Sequence, residues 1–217
     1  MPPDSKKDYF AERASTFDQG AHRVRNVDMI ADAIRKQVAL TPEMTVMDFG
    51  AGTGLLLERI APQVAHMLAV DTSASMLAEL QKKRPDLSSE LTCIQADITE
   101  STDALAHWLG QVDGIISSMA LHHVKDTQAL IREFYQLLKP KGFIALADLD
   151  SEDGSFHGAD AAERGVHHFG FDRVALQGLV ESVGFVDVAF VTANTLQRPQ
   201  GEFPIFLLTA KKPNHDQ

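Results

Sequence analysis

The sequence reads as an α/β protein built on a doubly wound, mostly parallel sheet. Short apolar runs alternate with helix-period segments along most of its 217 residues. The runs are apolar at successive positions, as strands buried on both faces are. One of them, Thr45–Phe49, passes into glycines at 50, 52 and 54 and then into Leu55-Leu56-Leu57-Glu58-Arg59-Ile60. Strand, glycine turn and helix bring bare backbone and a helix N-terminus up to a nucleotide-like ligand. A Cβ in such a turn would meet the ligand or forbid the positive φ that the turn needs.

Residues 1–8 are polar, carry two prolines and are expected to fray. Residues 9–20 set Tyr9, Phe10 and Phe17 among charged and small residues, either as a short helix over a pocket or as a packed arm. Over 24–40, Val27, Ile30, Ala31, Ile34 and Val38 keep helical spacing, and Thr41-Pro42 ends that helix. After the glycine turn, His66–Asp71 reads as the second strand. Ser73 caps a helix through Met76, Leu77 and Leu80, and 91–96 forms the third strand. A short helix over 102–109 holds Trp108, and the fourth strand covers 112–117. Asp126 caps a helix through Leu130, Phe134 and Leu138; Pro140-Lys141-Gly142 turns the chain into a fifth strand over 143–149. Asp172 starts a helix that reaches Val183 and stops at Gly184. The last runs, 186–193 and 204–210, have no helix between them and are expected to pair antiparallel at one sheet edge. The expected organisation is a single domain over 1–217: an arm and helix to 40, a core over 41–150, a lid over 151–171, and a final helix and hairpin.

Hydrophobic residues at 44% and charged residues at 23% are those of an ordinary globular protein. With 20 basic against 30 acidic residues the net charge is −10, which repels phosphate backbones and anionic lipid. Neither a nucleic acid nor a membrane partner is expected. Cys93 is the lone cysteine, so no intrachain disulfide can form, and its neighbours Leu91-Thr92 and Ile94 mark it as a small core hydrophobe. No apolar run approaches the ~20 residues that cross a bilayer. The N-terminal residues lack the apolar segment of a secretory signal, so the cytoplasm is the expected compartment.

Ligands of open parallel sheets bind at the carboxyl ends of the strands. Here those ends carry Asp48, Asp71, Asp97, Ser117 or Ser118, and Asp148. Asp71 follows Gly54 by 17 residues, close to the spacing at which an acid meets ribose hydroxyls. Any one such acid is more often a loop or cap carboxylate, as Asp126 and Asp172 are read. The repetition at successive strand ends is what sets the group apart.

Asp48-Phe49-Gly50-Ala51-Gly52-Thr53-Gly54, with Asp71, Asp97-Ile98 and the run 113–124, resembles a class I S-adenosylmethionine-dependent methyltransferase of the small-molecule type. Within that class it is most similar to the ubiquinone and menaquinone biosynthesis group. The resemblance implies a Rossmann-like, seven-stranded sheet and S-adenosyl-L-methionine as cofactor. It places the turn 50–54, Ala51 included, against the methionine and ribose, and Asp48 at the amino group. Asp71, with Thr72 beside it, takes the ribose, and Met76 borders the adenine. Asp97 accepts from the adenine amino group with Ile98 against the ring, while Ser117, Ser118 and Met119 lie beside the reactive methyl. Leu55 stands where a dinucleotide-type turn wants a small residue, which counts against a dehydrogenase.

Methyl transfer is an in-line displacement, and alignment alone can supply about 7–11 kcal/mol of the barrier. A general base is required only where the acceptor must lose a proton. His122 and His123 are the candidates for that task, or else a pair that shapes the cofactor loop. The segment 148–171 reads as a substrate lid, since Phe156, Phe169 and Phe171 have surface to bury. Met119, Asp148, His157 and Phe169 are its substrate-facing candidates. No ligand spacing marks a metal site there. The acids of this segment could attract a cationic acceptor or simply be solvated. Ser117-Ser118-Met119-Ala120 lacks the Pro-Pro-aromatic motif of nucleic-acid amino methylation, and neither paired glutamates nor several cysteines follow the fourth strand. A small-molecule acceptor remains, with its identity and the oligomeric state left open. A cofactor-binding sensor without turnover, and a dehydrogenase, stand as alternatives.

Overall fold

The computed structural model describes residues 8, 10–101 and 103–214. The fraying expected over 1–8 (Asp8 apart), the ring of Tyr9, and Thr102 lie outside the described residues. The strands are β1 (Thr45–Phe49), β2 (His66–Asp71), β3 (Glu90–Gln95), β4 (Val112–Ser118), β5 (Leu138–Leu149), β6 (Val186–Arg198) and β7 (Gly201–Lys211). They form one sheet in the order β3-β2-β1-β4-β5-β7-β6. β7 runs antiparallel to both β5 and β6, and every other pairing is parallel. The sequence direction of the sheet reverses between β1 and β4, which opens a crevice at their carboxyl ends.

Five α-helices cover the sheet: α1 (Ala21–Gln37), α2 (Leu55–Ile60), α3 (Ala74–Lys82), α4 (Thr127–Leu137) and α5 (Arg173–Val183). Alternate strand residues divide between two cores, because successive side chains leave a strand on opposite faces. Val46, Met67, Ala145 and Leu207 join α1, α2 and α3 on one side. Met47, Leu68, Ile144 and Phe206 join α4 and α5 on the other. The expected caps form: the side chains of Ser73, Asp126 and Asp172 accept from Met76, Ala129 and Ala175 backbone N–H groups. Among the described residues no helix is long and apolar enough to cross a membrane.

Three differences from the sequence reading have local causes. β5 begins at Leu138, not Phe143, because Pro140-Lys141-Gly142 is absorbed as a bulge opposite Asp113, with Lys141 at φ 65°. Lys139 Nζ closes the bulge on Asp113 with two contacts of 2.8 Å. The arm over Ala11–Gln19 winds as a 3-10 helix, and so does Asp103–Trp108. β6 and β7 extend past the expected ends until only two residues separate Arg198 from Gly201.

The glycine turn is required first by the protein's own packing. A Cβ on Gly50 would collide with the Cβ of Ala120, whereas one on Gly52 would meet nothing within 4 Å. Both have positive φ, 68° and 54°. Gly52→Ala should therefore carry only the left-handed penalty, about 1–2 kcal/mol. Gly50→Ala should lose a further ~1–3 kcal/mol through overpacking against a side chain with no rotamer to yield. Urea unfolding midpoints of the two variants measure the difference, and equal losses would mean that the Ala120 loop moves freely.

Candidate active site

A cavity of about 1130 Å³ occupies the crevice at the ends of β1 and β4. Its floor is the turn 49–53, its sides are the ends of β2 and β3 and the loop after β4, and its roof is the N-terminal arm with residues 156–157 and 164–167.

One end is acidic. Asp48 is 1% exposed, and its Oδ2 has no hydrogen-bond partner among the described residues. Burial, then the neighbouring negative charge of Asp71, holds its carboxyl well above the usual carboxylate range. Asp71 is tied into the backbone: Oδ2 accepts from Gly52 N and Oδ1 from Ser73 N, each at 2.8 Å. Burial raises its carboxyl too, against the opposing pull of those two hydrogen bonds. Each oxygen keeps a lone pair for a further donor. Asp97 Oδ1 accepts from Thr99 N and Thr99 Oγ1, which closes a turn that presents Ile98 to the cavity. The arm closes this end from above, with Ser73 Oγ donating to Asp8 Oδ2 at 2.8 Å and Thr53 Oγ1 donating to Asp18.

The other end is built around imidazoles. Asp148, fully buried, accepts from His122 Nδ1 at 2.8 Å, His122 N at 3.2 Å and Leu149 N at 2.7 Å. Burial alone would raise its carboxyl; the His122 ring and these hydrogen bonds hold it below its ordinary value. In its neutral form, His122 with Nδ1–H directed at Asp148 leaves Nε2 as an acceptor. The rings of His123 and His157 lie 4.2 and 4.7 Å from that of His122. His123 Nδ1 donates to Gly165 O at 2.9 Å, and Phe10 stands edge-on to its ring at 5.4 Å. Burial first, then His122, pushes both His123 and His157 down to about 4, so both are neutral near pH 7. Met119, between the two ends, has φ 58°, a strained backbone for a side chain of its size and one often retained at functional sites.

Most of the residues singled out in the sequence line this cavity. On the acidic side they are Asp48, Gly50, Ala51 and Gly52, then Asp71, Thr72 and Met76, then Asp97 and Ile98. Ser118, Met119, His122, His123 and His157 complete the set. Four do not line it. Gly54 sits beneath the turn as the left-handed cap of α2. Ser117 is wholly buried, and its hydroxyl donates to Phe49 O at 2.8 Å, fixing β4 to β1. Asp148 stands behind His122. Phe169, 47% exposed, packs against Gly154 instead.

Two acids of the segment after β5 are engaged within the protein, while Asp153 stands exposed. Asp150 receives both arms of Arg173 at 2.7 and 2.8 Å, and Glu152 Oε2 accepts from Phe156 N at 3.0 Å. The segment is stitched at its base by Ser151 N to Phe171 O and Glu152 N to Phe169 O. Among the described residues no group of three or more His, Cys, Asp or Glu side chains is arranged to hold a metal ion. Sequence reasoning did not identify Arg13, Arg23, Arg164 or Arg198, which also line the cavity.

Comparison with known proteins agrees with this architecture. A family model described as a methyltransferase domain matches residues 21–189. An uncharacterized methyltransferase of Schizosaccharomyces pombe is 29% identical over 148 residues, covering 64% of this chain and 52% of the relative. A ubiquinone biosynthesis O-methyltransferase of Xanthomonas campestris is 32% identical over 148 residues, covering 64% of this chain and 59% of the relative. The chain thus spans little more than half the length of these relatives. Phosphoethanolamine N-methyltransferase 2 of Haemonchus contortus, solved with S-adenosyl-L-methionine, superposes with a TM-score of 0.70 at 17% identity, over 95% of this chain and 60% of that one. With the family model matched from α1 into β6, over a sheet and crevice of the same kind, this chain belongs to the methyltransferase domain family.

Proposed function

We propose that this chain transfers a methyl group from S-adenosyl-L-methionine to a hydroxyl of a small-molecule acceptor. The observation that carries the reading is one continuous cavity with two different ends: a buried carboxylate with one orphaned oxygen above an open glycine turn, and a carboxylate-anchored histidine.

The acidic end suits the cofactor. An amino group beside Asp48 Oδ2 would satisfy the orphaned oxygen and favour its ionised form. The free lone pairs of Asp71 suit a ribose diol. The space over Gly52 admits a ligand against bare backbone. When bound, the cofactor supplies a methyl group activated on a positively charged sulfur. Asp48, Asp71 and the Asp97–Ile98 turn hold and orient it, and the roof residues exclude water. His122 Nε2, with the ring fixed through Nδ1 by Asp148, receives the hydroxyl proton as the acceptor oxygen becomes nucleophilic. A neutral His157 and His123 beside it keep that imidazole from facing further positive charge. The Xanthomonas relative is named for O-methylation, which suits a base facing the acceptor. Residues 151–171 serve as acceptor wall through Phe156, His157 and Val166. A sensor without turnover would need no space beyond Met119, and the cavity continues past it to His157 and Arg198, which favours an enzyme.

S-Adenosylhomocysteine should bind the protein in titration calorimetry more tightly than NAD does; no binding, or the reverse order, would sink the proposal. Asp71→Ala should weaken that binding by about 1.5–3 kcal/mol, the worth of hydrogen bonds to a charged group. An unchanged affinity would remove the ribose from this position.

The histidines supply a pH test. His123 and His157 titrate near 4 in the folded protein against about 6.5 in an unfolded chain, so the unfolded chain binds more protons between those values. Their contribution to stability is complete above pH ~6.5 and is lost as pH falls toward 4. Two-dimensional NMR of the ring protons should show both neutral at pH 5.5. Ordinary titration near 6.5 would mean a cavity end open to water.

A further inference from the structure

The cavity is polarised in a way that bears on the acceptor itself. The protein carries 30 acidic and 20 basic residues, and Asp48, Asp71, Asp97 and Glu100 line the cavity at the ends of β1–β3, with Asp126 following β4. The far end is cationic. Arg13 from the arm, Arg23 from α1 and Arg198 from the end of β6 all line it, and His22 and Arg164 stand with them. The N-terminal arm and helix and a strand end near the C-terminus deliver like charges to one place, on a chain whose net charge is opposite.

Packing, rather than ion pairing, holds the guanidinium groups of Arg23 and Arg198. Arg23 lies over the ring of Phe17 at 4.4 Å and donates one N–H to Phe17 O at 2.9 Å. Arg198 lies over the ring of Phe156 at 5.0 Å. Among the described residues, none of Arg13, Arg23 and Arg198 makes a salt bridge with a carboxylate. The nearest candidate, Asp18, is engaged by Thr53 Oγ1 and Lys83 Nζ. Stacking on aromatic faces fixes a guanidinium plane while leaving most of its five donors unused. The mutual field is felt locally: burial, then Arg13 and Arg198, lowers the Arg23 guanidinium against a smaller opposing pull from Asp18, and burial, then Arg198 and Arg23, lowers the His22 imidazole. Uncompensated like charges around a concave site favour an incoming anion. The walls between this cluster and His122 are apolar, formed by Phe10, Phe17, Met119, Phe156 and Leu196.

We propose that the acceptor is an organic acid, with a carboxylate or phosphate seated among Arg13, Arg23 and Arg198, and an apolar body that reaches back to Met119 and His122. This rests on the methyltransferase reading, since it assigns the far end of the cavity to the acceptor. Such an acid would be oriented from its charged end, so that the arginines set which hydroxyl faces the cofactor.

The test uses simple probes on the full chain saturated with S-adenosylhomocysteine: 3-phenylpropionate, phenyl phosphate and the neutral 3-phenylpropionamide, each titrated calorimetrically. One or both anions should bind at least about tenfold more tightly than the amide, as expected for charge-assisted hydrogen bonds to a fixed guanidinium. Preference for 3-phenylpropionate marks a carboxylic acid, and preference for phenyl phosphate marks a phosphate monoester. Arg23→Gln and Arg198→Gln should each lower the preferred anion's affinity about tenfold and leave that of S-adenosylhomocysteine unchanged. Arg198, exposed at a strand end, provides a variant with little bearing on folding. The proposal is overturned if the amide binds as well as the anions, if neither anion binds at millimolar concentration, or if both variants bind the anions as the parent does. Failure of S-adenosylhomocysteine to bind would instead overturn the methyltransferase reading, which separates the two.

Discussion

Asp71 is the constraint on which the rest of the site depends. A single half-buried carboxylate at the end of β2 accepts from Gly52 N in the glycine turn and from Ser73 N at the start of α3. It therefore fixes the shape of the turn after β1, the first turn of α3 and the direction of its own remaining lone pairs. Ser73, so positioned, caps Met76 N and also meets Asp8 of the arm. Backbone, helix start and roof are thus referred to one side chain. The raised carboxyl of Asp48 follows from the same arrangement, since Asp71 stands close enough to add its charge to the effect of burial.

At the opposite end Asp148 repeats the device. It gathers the ring and backbone of His122 and the backbone of Leu149, and so converts a strand-end acid into a support for an imidazole. The two carboxylates act in different ways because their surroundings differ. Asp71 retains acceptor capacity toward the cavity, while Asp148 lies wholly buried behind a ring. The cavity is acidic at one end and cationic at the other, with the neutral His123 and His157 beside His122.

The sheet and the acidic end were legible in the sequence because both leave periodic marks. Apolar runs ending in Asp48, Asp71 and Asp97 recur at the spacing of strand–helix units, and Ser73, Asp126 and Asp172 stand where caps belong. Strand-end acids resemble one another in sequence, so nothing separated Asp148, turned inward behind His122, from a residue facing the cavity. Ser117 and Ser118 are adjacent and differ only by the alternation of a strand, which put one hydroxyl on Phe49 O and the other at the cavity. The acids over 148–152 read as a cluster, yet their partners Arg173 and His122 lie more than twenty residues away in either direction. Pro140-Lys141-Gly142 has the composition of a turn, and only the pairing of Leu138 with Val112 makes it a bulge.

The cationic end left no mark in the sequence. Arg13, Arg23 and Arg198 come from an arm, a helix and a strand terminus, with no common period and no motif. The family model matches 21–189, which takes in the glycine turn, Asp71, His122 and Asp148 but leaves out Phe10, Arg13, Phe17, Leu196 and Arg198. The matched span is the part that a shared cofactor would constrain, since it carries the sheet ends and the turn. The unmatched segments fold back over that span and add Phe10, Arg13, Phe17, Leu196 and Arg198 to the lining of the cavity. Membership of the family therefore speaks for the sheet and its crevice, whereas the cationic end joins Arg23 within the match to Arg13 and Arg198 outside it.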